Sequence, residues 1–276
     1  MIDISKYGDR LIVGVSGGKD STATCLHLME QGLSKSDFDR VFMDTGWEHP
    51  ITYKHLDELE KTIGPIIRLR HNVKVKDEHK GLIDAIEADL GFESDFVRLI
   101  VRWHDFPNYF KKWCTRELKL APLKKWLDTL DFDPINVIGI RREESQKRSK
   151  YQKIEWNRHL DAYSYRPILE WKLQDVIDIH GRFGLRPNPL YLKSSDRVGC
   201  YPCIYARKSE IRDLDQSRID VIKILEKHVN EYRRSKGIDL KTGFFEKSPI
   251  EQIYEWSKTS LGGKQFQLFD LSRPKC

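Results

Sequence analysis

The stretch "LIVGVSGGKDSTATCLHLME", Leu11 to Glu30, joins an apolar run to an amphipathic one through a short turn of Ser, Gly, Lys and Asp. Leu11–Val15 reads as a short buried strand. Ser21–Glu30 reads as a helix, with Ala23, Leu26 and Met29 on its apolar side. A strand that enters a Gly-rich turn and leaves as a helix aims backbone N–H groups at a point ahead of the helix N-terminus. Those donors and the helix dipole favour an anion. Gly17 and Gly18 let the backbone approach phosphate oxygens closely, Ser16 and Ser21 add hydroxyls, and Lys19 adds a point charge. Asp20 is foreign to a pure anion nest. A carboxylate beside phosphates points to Mg2+, which takes hard oxygen ligands. The spacing is too short for the GxxxxGK[ST] phosphate loop.

Outward from this turn the same rhythm repeats. Arg40–Asp44 is a second strand that ends in Thr45-Gly46, Thr52–Thr62 a helix, and Ile66–Leu69 a third strand. Strand and helix alternating in this way predict an α/β fold with an open, mostly parallel sheet flanked by helices. Further on, Gly81–Ala88 is expected helical, and Leu118–Leu130 a helix interrupted near its start by Pro122. Asn136–Ile140 is expected as a strand, and Leu173–Phe183 as a helix with Val176, Ile177 and Ile179 inward. Ser209–Lys236 is a long polar helix or helix pair without strand partners. The chain is expected to divide softly, with an α/β nucleotide-binding domain over residues 1–205 and a helical C-terminal part over 206–276. No internal repeat or low-complexity linker interrupts it.

Charged residues make up 33% of the 276, and the formal net charge is +6. No apolar run approaches the ~20 residues of a membrane span. No basic segment followed by an apolar one opens the chain, so no membrane partner is expected and the cytoplasm is the expected location. The mild positive charge fits anionic small molecules or nucleic acid. Arg98–Arg116 interleaves aromatic and basic residues, a pattern that suits base stacking and phosphate contact, or else an aromatic core under an active-site lid. The five cysteines are Cys25, Cys114, Cys200, Cys203 and Cys276. An odd count without a secretory signal argues against a disulfide framework and leaves metal ligation, catalysis or burial. Cys25, on the apolar side of the first helix, is expected in the core.

SGGKDS at Ser16–Ser21 resembles the signature of the PP-loop ATP pyrophosphatases, in the adenine nucleotide alpha hydrolase-like superfamily. Five further segments resemble its phosphoadenosine phosphosulfate (PAPS) reductase-like group: "FMDTGWEHPITYKHLDEL" (42–59), "WCTRELKLAPL" (113–123), "GIRREESQKR" (139–148), "YRPILEWKLQDVIDIHGRFGLRPNPLY" (165–191) and "RVGCYPC" (197–203). The resemblance implies that the loop Ser16–Ser21 grips the pyrophosphate of ATP and that AMP passes to an acceptor. It places Asp44, Thr45 and Gly139 at the crevice beyond the strand ends. Arg141, Arg142 and Arg148 are candidates for holding phosphate or sulfate. Lys19, Asp20, Asp44, Arg141 and Arg148 are the expected catalytic set.

True PAPS reductases usually lack the Lys and Asp of this loop and carry a Glu-Cys-Gly-(Ile/Leu)-His motif near the C-terminus. This chain keeps Lys19 and Asp20 and ends in Ser272–Cys276 without that motif. The expectation is therefore an enzyme that uses ATP and Mg2+ to adenylate an acceptor and transfer sulfur to it, the acceptor being a nucleic acid or a small molecule and the sulfur coming from a donor protein. A thiol-dependent sulfonucleotide reductase and a silent nucleotide-binding subunit are the alternatives. The resemblance also implies a metal centre on Cys114, Cys200 and Cys203, either a 4Fe–4S cluster with one open iron or Zn2+ with a fourth ligand such as His104 or His180. A CxxC without metal remains the third reading.

Overall fold

The computed structural model describes residues 3–193, 195, 197–238, 242–245 and 248–259. Contacts divide the chain into two compact units, Met1–Asn72 with Trp113–Tyr201, and Val73–Lys112 with Pro202–Cys276. The expected division into 1–205 and 206–276 places 73–112 in the wrong unit. Two helices in that insert, each with one apolar face, pack on the long C-terminal helix rather than on the sheet.

The first unit is built on a six-stranded sheet. In chain order its elements are β1 (Arg10–Gly14), α1 (Lys19–Glu30), β2 (Phe38–Met43), α2 (Pro50–Ile63) and β3 (Ile67–Leu69). After the insert come α5 (Trp113–Thr115), a π turn (Arg116–Leu120), α6 (Ala121–Leu127), β4 (Pro134–Val137), β5 (Ile154–Asn157), β6 (Ala162–Tyr165) and α7 (Leu173–Arg182). The strand order is β3-β2-β1-β4-β6-β5, parallel except for β5, which pairs antiparallel with β6 at one edge. Alternate residues of β1 serve opposite faces, as the two-residue strand period requires. Leu11 and Val13 pack with Leu26 of α1 and with Leu56, Leu59 and Ile63 of α2, while Ile12 packs with Val41, Leu123 and Leu127. Both faces are covered, which explains the unbroken apolar run of this strand.

Local chemistry sets the ends of the elements. The His49 ring nitrogen Nδ1 accepts from the Ile51 N–H, Pro50 takes the first turn of α2, and Gly64 closes that helix at φ 95°. The helix expected over 118–130 instead takes a π turn just ahead of Pro122, because the proline ring cannot sit against the carbonyl of residue 118 in a regular turn. The hairpin β5–β6 was not legible in the pattern. Its strands are four residues each, too short to display alternation. On α7, Val176 and Ile179 point inward as expected, but Ile177 is 53% exposed, since it lies 100° round the helix from Val176.

The second unit is helical: α3 (Lys80–Leu90), α4 (Asp95–Trp103), α8 (Lys208–Arg212), α9 (Gln216–Ser235) and α10 (Ile250–Ser257). The expected helix pair over 209–236 is present as α8 and α9, with Asp215 capping α9 through the Arg218 N–H at 2.7 Å. α3, α4 and α10 pack on α9. Glu226 on α9 is buried and accepts from the backbone N–H groups of Phe244 and Ile250, which ties the segment before α10 to that helix. The aromatic and basic residues of 98–116 split: Phe106 and Trp113 are buried, whereas Tyr109 and Phe110 are exposed. No helix among the described residues is long and apolar enough to cross a membrane.

Candidate active site

The sheet order places β1 and β4 side by side with their connections leaving in opposite directions. That switch point opens a crevice outside the carboxyl ends of the two strands. The loop Ser16–Ser21 enters it directly from β1. Gly17 sits at φ 71°, in the left-handed region, and Gly18 caps α1 in an extended conformation. The Ser21 hydroxyl donates to the Gly18 carbonyl and accepts from the Ser16 N–H at 3.1 Å, so the loop is closed on itself.

Three residues from the far side of the crevice brace it. The Tyr191 hydroxyl accepts from the Lys19 N–H at 3.2 Å, and the Asn188 amide donates to the Gly17 carbonyl at 3.3 Å. His180 Nε2 lies 3.0 Å from the Lys19 carbonyl. Burial pushes the Tyr191 phenol up to about 12, so it stays a neutral hydrogen-bonding group. The Lys19 ammonium lies over the Tyr191 ring, 4.6 Å from its centroid, and 3.6 Å from the Asp20 carboxylate.

Gly139, just past β4, approaches the loop from the other strand. A Cβ there would lie 2.6 Å from Thr24 Oγ1, 2.7 Å from the Asp20 carbonyl and 2.8 Å from Ser21 Cα. Only glycine permits this contact, which is why β4 ends at Val137 rather than continuing to Ile140 as the pattern suggested. The close approach delivers Arg141 to the loop. Its Nε donates to the Asp20 carboxylate at 2.6 Å, and a second guanidinium nitrogen pairs with Glu143. The Arg141 side chain is only 6% exposed.

Asp44 and Thr45 follow β2 at the neighbouring position. Asp44 accepts from the Gly46 N–H and from the Tyr53 hydroxyl at 2.7 Å. Behind them Glu48 is fully buried. It accepts from the Thr45 hydroxyl at 2.8 Å, from the Thr45 and Trp47 N–H groups, and from the Tyr53 hydroxyl. Burial dominates those bonds and raises the Glu48 carboxyl above its usual range. Burial raises the Tyr53 phenol in the same way, with the charges of Glu48 and Asp44 adding to it.

The predicted loop residues Ser16–Ser21, together with Gly139 and Arg141, thus meet at one place. Asp44 and Thr45 lie at the end of the adjacent strand. Arg142 pairs with Glu170, and Arg148 with Glu144. Sequence reasoning missed Glu48, Tyr53, His180, Asn188 and Tyr191 as site residues. Asn188 and Tyr191 lay in the motif-bearing segment 165–191, but their bonds to the loop span more than 170 positions and have no local signature.

The metal centre expected on Cys114, Cys200 and Cys203 is not shown. Among the described residues, no group of three or more His, Cys, Asp or Glu side chains is placed to hold a metal ion. Cys114 and Cys200 belong to the first unit and Cys203 to the second. Residue 200 forms an antiparallel bridge with Glu48, and its thiol donates toward the Glu48 carboxylate at 4.0 Å, an arrangement that suits a protonated thiol rather than a thiolate ligand. Cys25 is buried as expected, and burial pushes its thiol up to about 12. Cys276 lies outside the described residues.

Comparison with known proteins bears on this geometry. A 37.8 kDa protein of Escherichia phage 186 is 29% identical, in an alignment that covers 100% of this chain and 96% of the phage protein. An adenosine 5'-phosphosulfate reductase of Streptomyces coelicolor is 27% identical over 71% of this chain and 72% of its own length. The phosphoadenylyl-sulfate (PAPS) reductase of Candida auris, solved as a phosphate complex, superposes with a TM-score of 0.51 at 14% identity, covering 73% of this chain and 85% of that one; this likeness concerns the fold alone. Residues 10–206 match the family described as the phosphoadenosine phosphosulfate reductase domain, and this span contains the loop, Asp44, Gly139, Arg141 and the bracing residues. The chain belongs to the phosphoadenosine phosphosulfate reductase domain family.

Proposed function

We propose that this protein binds ATP at Ser16–Ser21 and adenylates an acceptor with release of pyrophosphate, preparing the acceptor for sulfur transfer. The observation that carries this reading is the Lys19–Asp20–Arg141 constellation at the N-terminus of α1. A ligand that arrives already adenylated has no pyrophosphate to release, and so no use for a carboxylate and a lysine at the phosphate loop.

In this reading an acceptor oxygen attacks the α-phosphorus of ATP. The bond from that phosphorus to the bridging oxygen breaks, and pyrophosphate leaves with the electron pair. The acceptor now carries AMP as a leaving group, which a sulfur nucleophile displaces. Lys19 and the loop N–H groups meet the charge that develops on pyrophosphate. Asp20 would hold Mg2+ beside the phosphates, and the ion would supply further charge neutralisation there. Arg141 holds the Asp20 carboxylate in place. Asp44, fixed by Tyr53 and the Gly46 N–H, stands at the adjacent strand end where the nucleoside or the acceptor passes.

The test is calorimetric titration with ATP and Mg2+, followed by pyrophosphate release in the presence of RNA and small-molecule acceptor fractions. Lys19→Ala is expected to lower pyrophosphate release about 100-fold or more, the scale for losing one preorganised charge-stabilising group. Its folding is expected to hold, since the ammonium touches only Asp20 and the Tyr191 ring. An unmodified protein that does not bind ATP, or a Lys19→Ala variant as active as the parent, defeats the reading.

A second reading has its own support. The relatives include proteins named as adenosine 5'-phosphosulfate reductases. On that reading the crevice takes a sulfonucleotide, and sulfite appears from it with thiol and without ATP.

A further inference from the structure

The second unit gathers three imidazoles for which adenylation has no use. His79 precedes α3, His104 ends α4 and His228 lies on α9. Their ring centroids are 5.2, 5.3 and 5.6 Å apart. His104 stands at φ 49° and ψ 39°, a left-handed conformation that asparagine or glycine adopts at lower cost. Its ring stacks on Tyr232 with centroids 3.4 Å apart. Nδ1 of His104 and Nε2 of His228 are buried without a hydrogen-bond partner, while His228 is also bonded to the Val101 backbone.

Beside these rings is a cavity of about 310 Å3 lined by Lys74, Val75, Lys76, His79, Arg102 and His104. Three permanent positive charges border it. Lys76 and His79 share the Glu78 carboxylate, at 3.7 and 3.4 Å. The neighbouring Asp77 is occupied by Lys80 at 3.2 Å. Lys74 and Arg102 have no ion pair among the described residues. The positive charge is therefore in excess at a concave place, where field lines concentrate.

We propose that this cavity binds a phosphate monoester dianion, with Lys74, Lys76 and Arg102 supplying charge and His79 and His104 supplying hydrogen bonds. The excess of fixed charge matches a dianion better than the single charge of a phosphodiester. The volume is at the small end of ligand sites, which suits one phosphate-bearing group rather than a nucleic-acid strand. The orphaned Nδ1 belongs to His104, whose ring lines the cavity. Burial, with the charges of His228, His79 and Lys76, pushes His104 down to about 4, against a smaller opposing effect of Glu78. Burial and His79 lower His228 as well, opposed by Glu231 and the Val101 carbonyl. A bound dianion opposes that lowering and favours the ring protons that can bond to it. This site lies wholly within the second unit and does not depend on the nucleotide chemistry of the first.

The test follows the histidine ring signals of the full chain by NMR during titration with inorganic phosphate at pH 6 and pH 7.5. Saturable shifts of the His79 and His104 signals are expected at pH 7.5, where the probe is mostly the dianion, with weaker binding at pH 6, where it is mostly the monoanion. Arg102→Ala and Lys74→Ala should each weaken phosphate about tenfold, as the loss of one charged hydrogen bond does. Both variants should bind ATP as the parent does, which separates this site from the loop. A short oligonucleotide with internal phosphodiesters only, and no terminal phosphate, should leave the signals in place. Ring signals that ignore phosphate, an Arg102→Ala variant that binds it unchanged, or an oligonucleotide that matches inorganic phosphate would overturn the proposal. Stoichiometric zinc on the three imidazoles with phosphate inert would overturn it too.

Discussion

The crevice of the first unit and the cavity of the second both gather cations, but they hold them in opposite ways. In the crevice each cation has a partner: Lys19 has Asp20 and the Tyr191 ring, and Arg141 has Asp20 and Glu143. In the cavity Lys74 and Arg102 have none among the described residues, and two imidazole nitrogens nearby are buried without a bond. A site built from internal ion pairs is preorganised, and a ligand must exchange partners there. A site of unpaired cations gains every contact it makes. The first arrangement suits chemistry that needs fixed geometry, and the second suits capture of charge.

The largest effect expected from breaking this contrast is at Arg141. Arg141→Ala removes the nearer of the two cations beside a carboxylate that is itself only 15% exposed, and should cost about 2 kcal/mol of stability, the scale of a charged hydrogen bond, since Lys19 remains at 3.6 Å. Chemical denaturation measures this. Asp20→Asn in the same chain should recover part of the loss, because the carboxylate that Arg141 neutralised is then gone. Arg102→Ala in the second unit, with no ion pair to break, should leave stability within about 0.5 kcal/mol. Equal losses at the two arginines would erase the distinction.

Gly139→Ala comes next. The added methyl would press on Thr24, the Asp20 carbonyl and Ser21 Cα, and two of those three neighbours are backbone. A loss of about 1–3 kcal/mol is expected from overpacking, together with loss of ATP binding, because the relief must move the first turn of α1. Thermal unfolding and calorimetry read the two effects. A variant with lowered stability but unchanged ATP affinity would show that the loop does not depend on this contact.

The two regions also differ in how much of them the sequence displays. The loop is contiguous: strand, Gly-Gly turn, Lys-Asp and helix follow within twenty residues, and their order alone dictates an anion site at a sheet switch point. The parallel sheet was legible for the same reason, since β1 carries the apolar run Leu11–Val13 and β2 ends in Val41, Phe42 and Met43. The bracing of the loop was not, because Asn188 and Tyr191 come from more than 170 positions away and look like any loop residues. Glu48 was hidden because a buried carboxylate has no pattern of its own. The histidine cluster draws on positions 79, 104 and 228, which only folding brings together. The insert 73–112 was assigned to the wrong unit because the apolar faces of α3 and α4 specify burial but not the partner that provides it.

Acidity sharpens the comparison with a smaller effect. The Glu48 carboxyl is raised in the folded chain, so it favours folding while protonated, and that contribution is lost as pH climbs from about 4.5 through the raised value. His104 is lowered to about 4, so its contribution is present above the ordinary value of 6.5 and is lost as pH falls toward 4. The two arms have opposite slopes in overlapping windows. Glu48→Gln should flatten the first, and His104→Asn, whose side chain tolerates the left-handed backbone, should flatten the second. Stability against pH, measured on each variant, assigns the arms. If Glu48→Gln changes the acid arm instead, Glu48 is ionised in the folded chain and the Tyr53 and Thr45 bonds outweigh its burial.

The smallest effect expected is at Tyr191. Tyr191→Phe keeps the ring under the Lys19 ammonium and removes one acceptor from the Lys19 N–H. A neutral hydrogen bond of this kind contributes about 1 kcal/mol. The bond lies within the loop proposed to hold ATP, so the loss should appear in ATP affinity as a drop of about fivefold, with little change in unfolding temperature. Tyr191→Ala removes the ring as well and should weaken ATP further, because Lys19 loses its platform. If the two variants bind ATP equally, the hydroxyl carries the brace and the ring contact is incidental. If Tyr191→Phe is silent and Tyr191→Ala is not, the loop holds its shape through Ser21 and Gly18 alone, and the far side of the crevice serves to place the lysine rather than to close the loop.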